Sequence, residues 1–478
     1  MSIRRAVIFS TLQRYYGFVI AFISTIVVSR LLSPADLGAF SVAMSVAGVA
    51  TSFRELGASA FLIRSPTLEK HHESCAFGLT LLLGGGLGLV LVAVAKPLAL
   101  FFRTDEVADL VYILSLNLFL LPFGTVNNAL IRRQMQFDLL ARINVISVTL
   151  GFFVTLGLAW LGFGAYSLAW GAVVLSLFSL GLSILLGPAP AIIRPRFTGG
   201  RDMIRFGSQT TGMSVLWDIS SRYSDFLLGR MQGLGAAGLM SRASGLAYNV
   251  YDVLMSGFGA VALSYFSQLQ REKGNPLAIH LRLAALVTGL GWPAFVGLAF
   301  FAEPLTLALY GEKWLGIVLP LQILCLQYCL GLPFSFQYEL VMAKGSMDKQ
   351  VKAIIFIEIF RIVAVTVGAM WGLIGVAVAL VVTQLFATLS CSLVVWPTIN
   401  VGWADYWVVI KTNLPITAVT IASCWGALAL AHQWNASYVQ LILVVGPVVA
   451  VCVLAGYAAL RHPLFIEVMK LVKGWRPA

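Results

Sequence analysis

Fourteen apolar stretches of roughly twenty to thirty residues, running from 7–32 to 438–460, fill almost the whole of this 478-residue chain. A segment of about 20 apolar residues is what a helix needs to cross the hydrocarbon core of a bilayer. No water is present there to satisfy exposed backbone groups, so each stretch must bond its own backbone internally and become a helix. With 59% hydrophobic and 11% charged residues, the composition predicts an all-α integral membrane protein of about 14 transmembrane helices. The first stretch runs to Leu32 and is interrupted by Gln13 and Arg14, so it is read as a spanning helix rather than a cleavable signal.

The charges that remain are arranged with strong bias. With the N-terminus in the cytoplasm, 22 of the 32 Lys and Arg residues fall at cytoplasmic ends and loops, 5 fall on the opposite side, and 5 lie inside the spans. Loop bias of this kind orients membrane proteins, and it puts both termini in the cytoplasm. The net charge of +12 is scattered between apolar segments, without the basic face that nucleic acid would need. Cys325 and Cys329 share a helix face by their spacing, but no His or carboxylate completes a metal set. No GxxxxGK[S/T] loop occurs. No cofactor is expected.

An internal repeat divides the chain. Residues 30–43 align without a gap on residues 230–243, sharing Arg30/Arg230, Gly38/Gly238, Ser41/Ser241 and Ala43/Ala243. Weaker echoes follow in order, Pro97-Leu-Ala-Leu with Pro304-Leu-Thr-Leu and 159–165 with 370–376. Each half contains six helices, an even number, so the halves are parallel, an arrangement common in transporters. The expected organisation is an N-terminal six-helix half (1–187), a basic cytoplasmic linker (188–205), a C-terminal six-helix half (206–396), and two extra helices with a cytoplasmic tail (397–478).

The same residues carry a family resemblance. Leu31-Leu-Ser-Pro-Ala-Asp-Leu-Gly, Arg54-Glu-Leu-Gly-Ala-Ser-Ala-Phe-Leu-Ile-Arg64, Arg132-Arg-Gln-Met-Gln-Phe137, Ser221-Arg-Tyr-Ser-Asp-Phe-Leu-Leu-Gly-Arg230 and Gly238-Leu-Met-Ser-Arg-Ala243 resemble the signature of bacterial polysaccharide transporters. This is the Wzx-like, colanic-acid-exporter-like branch of the multidrug/oligosaccharidyl-lipid/polysaccharide exporter superfamily. The resemblance implies a flippase of the bacterial inner membrane. It would move undecaprenyl-diphosphate-linked oligosaccharide from the cytoplasmic to the periplasmic leaflet by alternating access, for exopolysaccharide or lipopolysaccharide synthesis. The implied partners are the lipid-linked glycan, the bilayer and other polysaccharide-assembly proteins.

Buried charge marks the candidate site. A charge at bilayer depth costs a few kcal/mol at least and by default marks function. Arg14, Arg54, Arg222 and Arg242 lie in helices 1, 2, 7 and 8, matching positions of the two halves, and the resemblance implies that these helices line a central cavity. A guanidinium pairs bidentately with phosphate oxygens, which suits a diphosphate in transit. Buried acids offer a structural alternative. Asp218 stands four residues before Arg222, with Asp225 on the same face, and Glu358 stands three residues before Arg361, both spacings that allow pairing within one helix. Arg54 and Glu55 are adjacent and cannot share a face. Asp218 and Asp225 also keep open a cation-coupled small-molecule exporter of the same superfamily, although helix 1 lacks the carboxylate expected there. An enzyme is not expected, since no large periplasmic loop or buried His/Asp set is present.

Overall fold

In the computed structural model of the protein, residues 3–53, 57–65, 68–188, 194–196, 201–271, 276–345, 347–433 and 437–474 are described. Among them every element is helical. Eleven stretches of the described residues are long and apolar enough to cross a membrane, three of them (Pro34–Arg64, Glu312–Lys344 and Met347–Val394) containing two α-helices each. The expected Arg54 and Glu55, and much of the 188–205 linker, lie outside the described residues.

Contacts divide the chain into two compact units, 1–238 and 239–478. The first contains α1 (Ile3–Leu31), α2 (Pro34–Phe53), α3 (Ala58–Arg64), α4 (Lys70–Phe102), α5 (Asp105–Arg133), α6 (Phe137–Trp160), α7 (Ala165–Leu186), α8 (Arg201–Met231) and the start of α9 (Leu234–Arg271). Within it α4 packs on α5, α6 on α7, α1 chiefly on α6, and α2 on α8. Thus α8, the first helix of the second sequence repeat, packs inside the first unit. Neither α8 nor α9 is among the apolar spans; α8 carries Asp218, Arg222 and Asp225, and α9 carries Arg242 and Asp252.

The repeat is visible in the helix boundaries. One helix ends at Leu31 and the next begins at Pro34; two hundred residues on, one ends at Met231 and the next begins at Leu234. The Leu-Ser-Pro-Ala-Asp run is a helix start. Ser33 donates its hydroxyl to Asp36 at 2.6 Å, the Ser33 amide donates to Asp36 Oδ2 at 2.8 Å, and the Asp36 amide donates back to Ser33 Oγ at 3.2 Å. This is a reciprocal capping box, with Pro34 at the first helical position, where its missing N–H costs nothing. The glycines shared by the repeat then meet. A Cβ on Gly38 would stand 1.7 Å from the Leu234 carbonyl oxygen, and a Cβ on Gly238 would stand 1.9 Å from the Pro34 carbonyl oxygen. The contact is reciprocal, each glycine facing the residue four before its counterpart, and any side chain would drive the backbones apart.

The first of the three consecutive glycines acts similarly. Gly84 on α4 lies against the Leu118 carbonyl and Pro122 of α5, whereas Gly85 and Gly86 face open space. At one helix end, the Arg133 guanidinium donates to the Leu62, Ile63 and Ser65 carbonyls at 2.8, 3.3 and 2.6 Å. These acceptors are left over at the C-terminus of α3, and a cation there also complements the helix dipole.

The second unit continues from α9 through α10 (Pro276–Phe300), α11 (Ala302–Leu309), α12 (Val318–Gly331), α13 (Gln337–Lys344), α14 (Met347–Gly368), α15 (Gly372–Val394) and α16 (Trp396–Ile399). It ends with α17 (Trp403–Gln433), α18 (Tyr438–Gln440), α19 (Gly446–Ala459) and α20 (Pro463–Gly474). The two extra helices belong to this unit, α17 packing on α10 and α19 on α17. A buried polar joint secures the chain that follows them. Asn413 donates its amide to the Val409 carbonyl at 2.7 Å, so its oxygen is left to accept from His462 Nε2 at 2.9 Å. His462 Nδ1 in turn accepts the Leu464 amide, which fixes the neutral tautomer. The Tyr457 hydroxyl donates to the Gly289 carbonyl, and Arg282 pairs with Glu467.

Two outcomes are expected. Gly38→Ala or Gly238→Ala forces a backbone shift of the kind that costs about 1–3 kcal/mol, measurable as a lower melting temperature of the purified protein. Burial lowers the pKa of His462, so the unfolded joint takes up a proton first. Its contribution is intact above about pH 6.5 and is lost as pH falls through the folded value. The protection factor of the Leu464 amide, exchange corrected for its intrinsic rate, should therefore fall as pH drops below about 6.5, and His462→Gln should remove that fall.

Candidate functional site

The charges of α8 face one side of α2. Along α2, Ser41, Ser45, Gly48 and Ser52 recur at spacings of four, three and four residues, which is one helix face. Running the opposite way, α8 presents Asp225, Arg222 and Asp218. The Ser41 hydroxyl donates to Asp225 and the Ser52 hydroxyl donates to Asp218. Between them, Ser45 donates to the Arg222 backbone carbonyl at 3.3 Å, and Arg222 Nη1 reaches the Met44 carbonyl at 3.5 Å. Gly48 makes room for the guanidinium, since a Cβ there would stand 2.6 Å from Arg222 Cζ. Arg222 Nε is buried without a hydrogen-bond partner.

The spacing of Asp218 and Arg222 allowed a pair within the helix, and that pair does not form among the described residues. Both acids instead accept from hydroxyls of α2, which leaves the guanidinium with a weak carbonyl contact and an open Nε. Sequence reasoning singled out the charges but missed the three serines. The signal for them was present in the four-three-four spacing of small residues on α2.

Arg14 is exposed on α1, the helix that packs chiefly on α6, so it stands apart from the α2–α8 seam. Nearby, the Tyr16 hydroxyl and Thr149 Oγ1 are 2.6 Å apart, while Tyr15 remains exposed.

In the second unit the charges are handled differently. The Arg242 guanidinium lies 5.4 Å from the ring centroids of both Tyr310 and Trp314, rings that are themselves almost fully buried. Their π faces attract a cation, more strongly when it is desolvated. Arg242 Nε and the Tyr310 hydroxyl are both buried without hydrogen-bond partners. On α14, Arg361 Nη1 is 3.0 Å from Glu358 Oε2, the pair that the three-residue spacing predicted. An aromatic series lies in the same unit: Phe295 stacks on Tyr328 at 5.0 Å, Tyr328 lies 5.0 Å from Tyr251, and Tyr251 lies 6.3 Å from Tyr248. Its members come from three helices distant in sequence, so no local pattern announced it.

The set therefore comprises cations on long helices, met by a carbonyl at Arg222, by ring faces at Arg242 and by an acid at Arg361. Such groups keep donors for an anionic ligand. The model of a family described as polysaccharide biosynthesis protein matches residues 27–319. The chain belongs to that family. It is similar to an uncharacterised membrane protein in the cps region of Klebsiella pneumoniae, at 23% identity over 407 residues covering 83% of each chain. It is also similar to the lipopolysaccharide biosynthesis protein WzxC of Escherichia coli K12, at 24% identity over 83% of this chain and 82% of that one. Among solved structures, the lipid II flippase MurJ in an inward closed conformation matches with a TM-score of 0.72 at 15% identity, covering 95% of this chain and 99% of that one. An inward-facing multidrug MATE transporter matches with a TM-score of 0.62 at 18% identity, over 83% and 96%. The protein has the multi-pass, all-α exporter-superfamily fold, and the Wzx-like resemblance read from its sequence holds.

The α2–α8 seam should respond to single-atom changes. Ser52→Ala removes a hydrogen bond to a carboxylate, a loss of about 1.5–3 kcal/mol. Gly48→Ala should displace the Arg222 side chain. Both should lower the melting temperature, whereas Ser221→Ala on the exposed side of α8 should leave it unchanged.

Proposed function

We propose that the protein is a flippase for undecaprenyl-diphosphate-linked oligosaccharide, moving it from the cytoplasmic to the periplasmic leaflet of the bacterial inner membrane. The observation that carries this reading is the pair of guanidinium groups, Arg222 and Arg242, whose buried Nε atoms have no hydrogen-bond partner among the described residues, in a polysaccharide-biosynthesis family member. Flippase activity is what the fold relative MurJ is named for, and lipopolysaccharide biosynthesis is what WzxC is named for. Both termini face the cytoplasm in this reading, as the loop charges favour.

In this mechanism the polyprenyl tail stays in lipid while the headgroup exchanges water for protein donors. Arg14, Arg54, Arg222 and Arg242 each offer a guanidinium group to the diphosphate, and no one site binds so tightly that it halts transit. Arg222 has the geometry for this, since its open Nε and long carbonyl contact can be exchanged for phosphate oxygens at little cost. Asp218 and Asp225 position that arginine by fixing α8 on α2. The Glu358–Arg361 pair supplies a cation whose partner can be exchanged as the headgroup passes. An inside-negative potential aids outward movement of an anion, by up to about 2.3 kcal/mol per charge per 100 mV.

Deleting the gene should cause lipid-linked repeat units to accumulate on the cytoplasmic face, and restoring it should clear them. Arg222→Ala should clear them at least about tenfold more slowly, as expected for one lost charge-assisted contact, with Arg222→Lys intermediate. Unchanged intermediates together with raised drug sensitivity would instead establish the cation-coupled exporter.

A further inference from the structure

A groove of about 640 Å³ opens between α1 and α6, inside the first unit and away from the α2–α8 seam. Its α1 wall includes Leu12, Tyr15 and Val19, and its α6 wall includes Val145 and Ile146. All but Val145 are exposed large side chains. In a spanning segment such a groove faces hydrocarbon, so its occupant is an apolar chain. The volume is in the usual range for a bound small molecule.

The lining changes character along α6. From the N-terminal start of the helix, cytoplasmic in the orientation proposed above, it runs Asp138, Arg142, then Val145 and Ile146. At 1.5 Å per residue that is about 12 Å of helix, leading from the membrane surface into the apolar core. Neither Asp138 nor Arg142 has an ion pair or hydrogen bond among the described residues. An arginine at the surface end offers bidentate donors to phosphate. A carboxylate one turn nearer the cytosol accepts from hydroxyls.

We propose that this groove holds the polyprenyl chain of the lipid-linked substrate before translocation, with its diphosphate at Arg142 and its first sugar hydroxyls at Asp138. The proposal rests on the flippase reading above. The order of apolar wall, cation and carboxylate matches the order of chain, diphosphate and sugar in such a lipid, and this is the complementarity that selects it over a bulk phospholipid. At the inner end, the bond between Tyr16 and Thr149 ties the two walls together, so the groove has a fixed width there. It gives the substrate a station outside the seam of buried charge, from which the headgroup can enter while its chain stays in lipid.

The test uses the full chain in nanodiscs of phosphatidylethanolamine and phosphatidylglycerol, with a polyprenyl-diphosphate sugar carrying a photoreactive group on its chain. Labelled peptides should map to residues 12–19 and 138–146. Unlabelled polyprenyl diphosphate should compete at least tenfold better than phosphatidylglycerol. Val19→Trp and Ile146→Trp, at exposed positions that the fold tolerates, should each reduce labelling at least fivefold without changing the melting temperature. Arg142→Gln should weaken competition by the diphosphate lipid while leaving that of the free polyprenol unchanged. Equal competition by phosphatidylglycerol would show an ordinary lipid contact and overturn the proposal. So would full labelling in both tryptophan variants, and in that case clearance of intermediates in cells leaves the flippase reading standing. Failure of intermediates to accumulate in the deletion strain removes that reading and this proposal together.

Discussion

The cost of holding charge in an apolar medium governs this molecule. Arginine cannot escape that cost by losing its proton, so α8 can be stable only where another helix supplies polar atoms. Helix α2 does so with a single face of small residues: two hydroxyls bond Asp225 and Asp218, a third bonds backbone, and Gly48 leaves space for the guanidinium. Small residues let helix backbones approach, and hydroxyls hydrogen-bond across the contact, as is common between helices in membranes. The adaptation is unequal, because the acids are satisfied closely and the arginine loosely. The guanidinium thus keeps a buried Nε without a hydrogen-bond partner among the described residues.

The motifs that carry the family resemblance have plain mechanical roles. Ser33, Pro34 and Asp36 begin a helix with a reciprocal cap, and Gly38 four residues into that helix touches the start of α9 through the counterpart glycine, Gly238. An ungapped repeat of helix end, two-residue turn and glycine therefore makes a self-complementary contact, which any side chain at either glycine would separate. The second unit uses aromatic rings where the first uses hydroxyls. Arg242 lies against Tyr310 and Trp314, and its energy comes from ring electrostatics rather than from a compensating negative charge. The interior can thus retain net positive character at chosen points although acids and bases are similar in number.

Under the proposed function a diphosphate lipid presents three chemistries at once, and the molecule offers a surface for each. The buried cations suit the phosphates, the aromatic series Phe295–Tyr328–Tyr251–Tyr248 offers rings and hydroxyls, and the α1–α6 groove suits a chain. Separating these surfaces has a physical reason. The chain never needs to leave hydrocarbon, so only the headgroup requires a polar route. The C-terminal helices are tied to one another by the Asn413–His462 joint and to α10 through the Tyr457–Gly289 bond and the Arg282–Glu467 pair.

Helix class and membrane-crossing character were legible in the sequence because they depend on local hydropathy, which the bilayer converts directly into helices. Of the fourteen expected spans, those that became α8 and α9 are not among the eleven apolar enough to cross among the described residues. Also legible was the Glu358–Arg361 pair, three residues apart on one helix. Of the arginines expected at depth, Arg222 and Arg242 have buried guanidinium nitrogens, whereas Arg14 is exposed. What satisfies those charges was not legible. Asp218 and Arg222 have an ideal spacing for each other, yet Asp218 takes Ser52, because a hydroxyl brought across by α2 competes with the partner in its own helix. Tyr310 and Trp314 are nearly seventy residues or more from Arg242, and the walls of the α1–α6 groove are more than a hundred residues apart. Sequence alone determined the all-helical membrane class and where the charges fall along the chain; tertiary packing alone decided which atoms meet those charges, because the partners come from helices whose distance along the chain carries no local signal.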